Sequence, residues 1–291
     1  MARRGGRRRF FGGFGESGRT GASGFSLSRF VIPAILAAAA AGYLWFTAEE
    51  QEVPITGRTQ RVNLTDQQQE QLGAQVYQQT LQESAGVIVA SGPEYEMVQR
   101  VADRIASVGA EDKPEFEWEF ALIDHPQANA FCLPGGKIVV YTGILPVAKT
   151  EAGLATVVGH EVAHATAEHG AERIFQQQLT QTAVQIVAAG SAETQQQYEQ
   201  IAGLLGAGAQ VGLTLPWGRD QESEADHIGL IYMARAGYDP AEAVGFWQRM
   251  ERAHRDQPQP PEYLGTHPSS ETRIEQIRGW LPEAQAEYGP A

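Results

Sequence analysis

Cysteine is almost missing from this 291-residue chain, with Cys132 its single copy. No disulfide can form within one molecule, and the closed, cysteine-rich kind of structural zinc site is excluded. No cysteine follows the apolar N-terminal run, so no lipid is attached there. The lone thiol is expected to be buried rather than catalytic. Basic residues are scarce outside the first 29 positions. Those 29 hold seven arginines and one acid, a net +6, while the whole chain carries −13, leaving −19 on the remainder. Nucleic-acid binding needs clustered basic residues on a folded surface, so no nucleic-acid partner is expected. Residues 1–29, rich in Arg, Gly and Ser, read as a disordered tail. Internal repeats are absent too, which excludes an appended tetratricopeptide module.

What is present begins with Phe30–Phe46, an uncharged run of 17 residues. At about 1.5 Å per residue it reaches about 26 Å, near the thickness of a bilayer's hydrocarbon core. Tyr43 and Trp45 close the run, where an interface favours aromatic rings. Arginines precede it and Glu49, Glu50 and Glu52 follow, so the N-terminus is expected to stay cytoplasmic while the folded part is exported. A cleaved signal peptide is the competing reading. Its apolar region is usually about 7–15 residues long, and Phe46 is bulky where cleavage after Ala48 wants a small residue. A retained anchor over residues 30–48 is favoured, followed by a polar tether over 49–63 and one domain over 64–291. An arginine-rich mitochondrial presequence ahead of an inner-membrane span is a further localisation reading.

His160-Glu161-Val162-Ala163-His164 carries the chemistry. Two imidazoles four apart on a helix project from one face and can grip one Zn²⁺, with the glutamate between them placed to take a proton from water. Leu154, Val157, Val158 and Val162 make the helix apolar, and Gly159 inside it suggests close backbone packing. A third ligand is needed. The extended histidine pattern fails, because Ala167 and Gly170 stand at its glycine and final histidine positions. On a continuous helix His169 lies about 180° from His160, which removes it as a ligand and leaves it near the helix end. Glu222 and Asp226 share a helix face with Ala225 and Gly229. The first suits a metal and the second suits the free N–H of a ligating imidazole; a solvated acidic patch is the plain alternative. Glu224 lies on another face.

Elsewhere the pattern predicts helices over Thr65–Gln82, with Leu72, Val76 and Leu81 inward, and over Tyr95–Val108. Phe116–Ile123 and Lys137–Thr142 read as strands. Two Gln- and Ala-rich helices joined near Gly190-Ser191 are expected over Arg173–Leu213. There Ile174, Leu179, Val184 and Ile201 keep the spacing of ordered core. Asp239-Pro240 opens a helix through Met250, and a Pro-rich loop, Gln257–Pro261, leads to Thr266-His267-Pro268.

Taken in order, Asn129–Gly143, Val158–His164, Arg219-x-x-Glu222-x-Glu-Ala-Asp226 and Thr266-His267-Pro268 resemble the gluzincin metallopeptidase family M forty-eight, the group of HtpX, the CaaX prenyl endopeptidases and BepA. The likeness spans roughly Leu64–Leu281 and is closest in layout to compact, single-anchor periplasmic members. It implies an α+β, mainly helical zincin-like fold with a small sheet beside the active-site helix. One Zn²⁺ would be held by His160, His164 and Glu222, with Glu161 as acid/base and Asp226 supporting a ligand. A substrate-binding strand would run through Ile138, Val139, Val140 and Tyr141, taking extended polypeptide as another strand. His267 is either a donor to the oxyanion, a plug closing the metal site as the BepA-like resemblance implies, or a turn residue before Pro268. Arg273 could orient a carboxylate. The function so implied is a membrane-anchored zinc endopeptidase acting on unfolded or extended polypeptides in envelope quality control. The expected setting is a bacterial inner membrane with the catalytic domain periplasmic. The alternative is a chaperone or assembly factor with a latent protease site.

Overall fold

The computed structural model describes residues 28–210, 215–255, 267 and 271–289. The basic tail, the 257–261 loop, Thr266 and Pro268 lie outside them. Helix α1 (Ser28–Thr47) opens the described chain and leads directly into an antiparallel hairpin, β1 (Glu49–Glu52) and β2 (Thr59–Val62), in the segment read as a tether. Helix α2 (Asp66–Glu83) starts on a reciprocal cap between Thr65 and Gln68. After β3 (Ile88–Val89), helix α3 (Pro93–Asp112) buries Val98, Val101 and Ile105. Strands β4 (Glu119–Ile123), β5 (Ala130–Leu133) and β6 (Lys137–Tyr141) complete a four-stranded sheet in the order β3-β4-β6-β5.

That order corrects the expected substrate strand. Both edges of β6 are taken, by parallel β4 and by antiparallel β5, so Ile138, Val139, Val140 and Tyr141 have no open ladder to offer. The sheet's outer strands are β3 and β5, and it is β5 that lines the cleft. Gly135 and Gly136, with φ of 76° and 81°, form the tight turn that folds β5 back onto β6. β-branched composition marks β6 as a buried strand, but it carries no information about which neighbour is outermost.

Helix α4 (Leu145–Ala148) leads into α5 (Glu151–Thr166), where Thr150 caps the Gly153 amide. Every residue from Gly153 to Ala163 is buried, so α5 is the central helix rather than a surface helix with one apolar stripe. Helix α6 (His169–Ser191) and α7 (Gln195–Ala209) form a hairpin, and α8 (Leu215–Arg235), α9 (Glu242–Arg255) and α10 (Glu271–Glu287) return to the core. Two further expectations are corrected. In α2 the buried residues are Gln69, Gly73 and Tyr77, while Leu72 and Val76 face out, because the helix presents its small and hydrogen-bonding side to the Pro134 backbone and to Glu168. The α6–α7 hairpin is not part of the main core: among the described residues, no side chain between 168 and 224 belongs to it, and Ile174 is exposed, whereas Ile201 is buried as its spacing predicts.

Candidate metal centre

Helices α5 and α8 meet backbone to backbone. A Cβ built on Gly159 would lie 2.9 Å from the Gly229 carbonyl oxygen, and one on Gly229 would lie 2.9 Å from the His160 amide nitrogen. This contact is the physical reason for a glycine inside an otherwise good helix, and it brings the histidine face of α5 against the carboxylate face of α8. His160 Nε2 lies 3.3 Å from Glu222 Oε2, and His164 Nε2 lies 3.3 Å from Glu222 Oε1. His267, which precedes α10 in the chain, enters the same cluster: its Nδ1 is 2.8 Å from Glu222 Oε2 and 3.1 Å from His160 Nε2. One ligand atom from each of His160, His164, Glu222 and His267 falls within 4.8 Å of every other.

Charge in this cluster is tightly linked. Burial pushes the His164 imidazole well below its ordinary value, and the Glu222 charge offsets only part of that. At His160 burial acts the same way, but hydrogen bonds with Asp226 and Glu222 outweigh it and raise the ring to about 9. Burial disfavours the Glu222 charge, yet the surrounding imidazoles hold this carboxylate far below its usual range. Within this cluster the surroundings thus favour the charged form of Glu222 and the neutral form of His164.

The residues around the cluster fix its orientation. Asp226 Oδ1 is 2.9 Å from His160 Nδ1, on the far side of the ring from Glu222. Arg273 grips Asp226 through two bonds of 2.6 and 2.7 Å while stacking on Trp247, its guanidinium carbon 3.5 Å from the ring centre. Burial works against the Asp226 charge, but Arg273 and His160 pull its carboxyl below the usual value.

A second line runs to His164, and sequence reasoning missed it. His169 Nδ1 lies 2.8 Å from His164 Nδ1, and His169 Nε2 lies 3.0 Å from Glu224 Oε2. The continuous-helix argument misplaced His169 because α5 stops at Thr166. Glu168 adopts a left-handed φ of 52°, and the chain restarts as α6 with His169 turned back toward the cluster. Glu168 is held there by Gln69 and Lys113. Glu224 in turn accepts from Thr56 and Arg58 in the turn between β1 and β2, at 2.5 and 2.7 Å, and Arg58 also bridges to Glu172. A neutral His164 that offers Nε2 as a ligand carries its proton on Nδ1. His169 then accepts at Nδ1 and donates from Nε2 to Glu224, so one hydrogen-bond direction satisfies every group.

Glu161 is buried, and its Oε1 has no hydrogen-bond partner, with His267 Nε2 3.5 Å away. An orphaned carboxylate oxygen beside two imidazoles and a carboxylate fits a bound divalent cation and the water it would bring. These donors open onto a cleft of about 420 Å³ lined by Phe131 and Cys132 of β5, Tyr141, Glu161, His164 and His267.

Comparison with known proteins decides the class. The model of Peptidase family M48 matches residues 94–281. The chain belongs to peptidase family M48. It is 36% identical over 247 residues to the mitochondrial metalloendopeptidase OMA1 of Schizosaccharomyces pombe, covering 84% of this chain and 71% of that relative. It is 30% identical over 249 residues to its human counterpart, covering 79% of this chain and 46% of that protein. The beta-barrel assembly-enhancing protease of Escherichia coli is 32% identical over 166 residues, 55% of this chain and 34% of the relative. Most of these M48 relatives are thus considerably longer than the matched stretch. By family and by its clustered donors, the chain is a metallopeptidase with the expected mainly helical α+β fold.

Proposed function

We propose that this M48 member is a zinc-dependent endopeptidase anchored in a membrane by α1, cleaving extended or misfolded polypeptide for quality control at the membrane surface. The observation that carries the reading is the convergent set of donors from His160, His164 and Glu222, next to a Glu161 oxygen that accepts no hydrogen bond and beside the outer strand β5. When bound by those three residues, zinc would supply Lewis-acid activation of water and of the scissile carbonyl. Glu161 takes a proton from water and later delivers it to the leaving nitrogen. Asp226 and His169 keep the two imidazoles oriented. β5, rather than β6, presents main chain to an extended substrate, a recognition that favours breadth over side-chain selectivity.

His267 favours the plug among its three readings. Its Nδ1 lies beside the donors of the other three residues, where it would compete with water and substrate for a bound ion. A self-inhibited protease follows, and with it the alternative that assembly or chaperone work continues while the site is shut. Basic residues before α1 and acidic residues after it support a catalytic domain on the side opposite the tail, in a bacterial inner membrane or, as the relatives' names favour, a mitochondrial one. Casein cleavage by the full chain, with and without chelator, tests the enzyme reading: Glu161→Gln and chelator should each abolish it. Persisting cleavage in Glu161→Gln would sink the assignment. His267→Ala should raise the rate if the loop is a plug and lower it if the ring serves the oxyanion.

A further inference from the structure

The α6–α7 hairpin stands outside the main core and runs along α1. At one end of α1, the Trp45 and Phe175 rings are 6.3 Å apart. Toward the other end, a Cβ on Gly190 would fall 2.5 Å from the Pro33 ring. At that end itself Arg29 pairs with Glu193 at 3.6 Å. From Arg29 to Trp45 a helix rises about 24 Å, and from Phe175 to Ser191, the last residue of α6, also about 24 Å. The two helices are therefore antiparallel neighbours over their whole shared length. Whatever depth α1 spans, α6 spans with it, and α7 carries the chain back.

The sequence of the hairpin agrees. Between Glu49 and Arg29 lie 19 uncharged residues; between Arg173 and Glu193 lie 19; between Glu199 and Arg219 lie 19. At the chain's 20% charged content, the last two runs together would hold about eight charges, and they hold none. The borders of the α6 run, Arg173 and Glu193, fall near the two ends of that helix, while Glu199 lies about one turn into α7 and Arg219 about one turn into α8. Outward-facing side chains include Ile32 (70% exposed), Ile35 and Phe46 on α1 and Leu204 (76%) on α7. Among the described residues, α1 alone has the length and hydropathy of an independent span. Gln176, Gln177, Gln178, Gln181 and Gln185 keep α6 from qualifying by itself, and a helix of that polar content is accommodated in lipid by packing on a neighbour.

We infer that α6 and α7 form a hairpin that crosses the lipid bilayer beside α1, so that the inserted segment between the histidine motif and Glu222 is a second membrane element. The inference rests on α1 crossing that bilayer. It predicts that the α6–α7 connection emerges on the same side as the N-terminal tail, opposite the catalytic domain. The test uses the full chain in a Cys132→Ser background, expressed in a bacterial inner membrane. Single cysteines at Ser23 (tail), Gln82 (catalytic domain) and Gln196 (start of α7) are probed with a membrane-impermeant maleimide in sealed spheroplasts and in inverted vesicles. Gln195→Cys provides a second reporter should Gln196→Cys not accumulate. The expected result is that Gln196→Cys labels with Ser23→Cys and is lost from the face that labels Gln82→Cys. Labelling of Gln196→Cys together with Gln82→Cys, while Ser23→Cys stays opposite, would overturn the hairpin and leave the anchor intact. Labelling of all three from one face would overturn the anchor itself.

Discussion

Replacing His169 by phenylalanine isolates one hydrogen bond. The ring keeps its bulk, but the acceptor for His164 Nδ1–H disappears. His169 is only 1% exposed, so no bulk water replaces it. A stranded buried N–H costs about 1–3 kcal/mol, and loss of an outer partner of a ligating histidine typically weakens metal binding by about 10–100-fold. The two figures agree, since about 1.4 kcal/mol is a factor of ten. Zinc affinity should therefore fall by about one to two orders of magnitude. The fold should persist, because Glu224 keeps Thr56 at Oε1 and Arg58 at Oε2. The assay is competition for zinc against a chromogenic chelator, with thermal denaturation as the control for folding. His169→Asn, whose side-chain oxygen stands near the lost Nδ1, should recover part of the affinity. A His169→Phe protein that binds zinc within about twofold of wild type would refute the reasoning, since the bond would then have held nothing in place.

Three further outcomes follow from the same geometry. Gly229→Ala puts a Cβ 2.9 Å from the His160 amide nitrogen and 3.0 Å from the Gly159 carbonyl carbon, so α5 and α8 must part; a loss of about 1–3 kcal/mol and of bound zinc is expected, read by denaturation and metal content. Cys132→Pro removes an outward-pointing amide of β5, since the Asn129–Tyr141 bond and the register leave Ala130 and Cys132 facing away from β6; KM for an extended peptide should rise while zinc content stays level. Burial opposes the Glu224 charge, but His169, Thr56 and Arg58 lower its carboxyl from 4.5 to about 2. Its stabilising contribution is thus complete above about pH 4.5 and is lost as pH falls toward about 2. Glu224→Gln should accordingly flatten the acid limb of stability against pH, measured by denaturant titration, and an unchanged limb would refute it.

How far the sequence carried depends on the distance between cause and effect. The histidine pair and its glutamate lie within one helical turn, so their shared face follows from geometry alone. Glu222 and Asp226 were readable as one face of a second helix, but their meeting with α5 required the Gly159–Gly229 contact, of which only Gly159 gave a hint. His169 was misplaced because nothing in Ala167-Glu168 announces a left-handed residue; that conformation is imposed by Gln69 and Lys113 from elsewhere in the chain. The strand at Lys137–Tyr141 was legible, whereas its interior position depends on long-range pairing with β4 and β5. The inward face of α2 was misjudged because Leu72 and Val76 follow helical spacing while the buried side is chosen by hydrogen bonds.

Because main chain touches main chain at Gly159 and Gly229, the gap between the two ligand-bearing helices does not depend on how snugly neighbouring side chains fill space. Trimming Leu154 or Ile228 would weaken the molecule without moving imidazole relative to carboxylate. Robustness of the reaction centre and robustness of the fold are thereby separable traits, open to change by different substitutions.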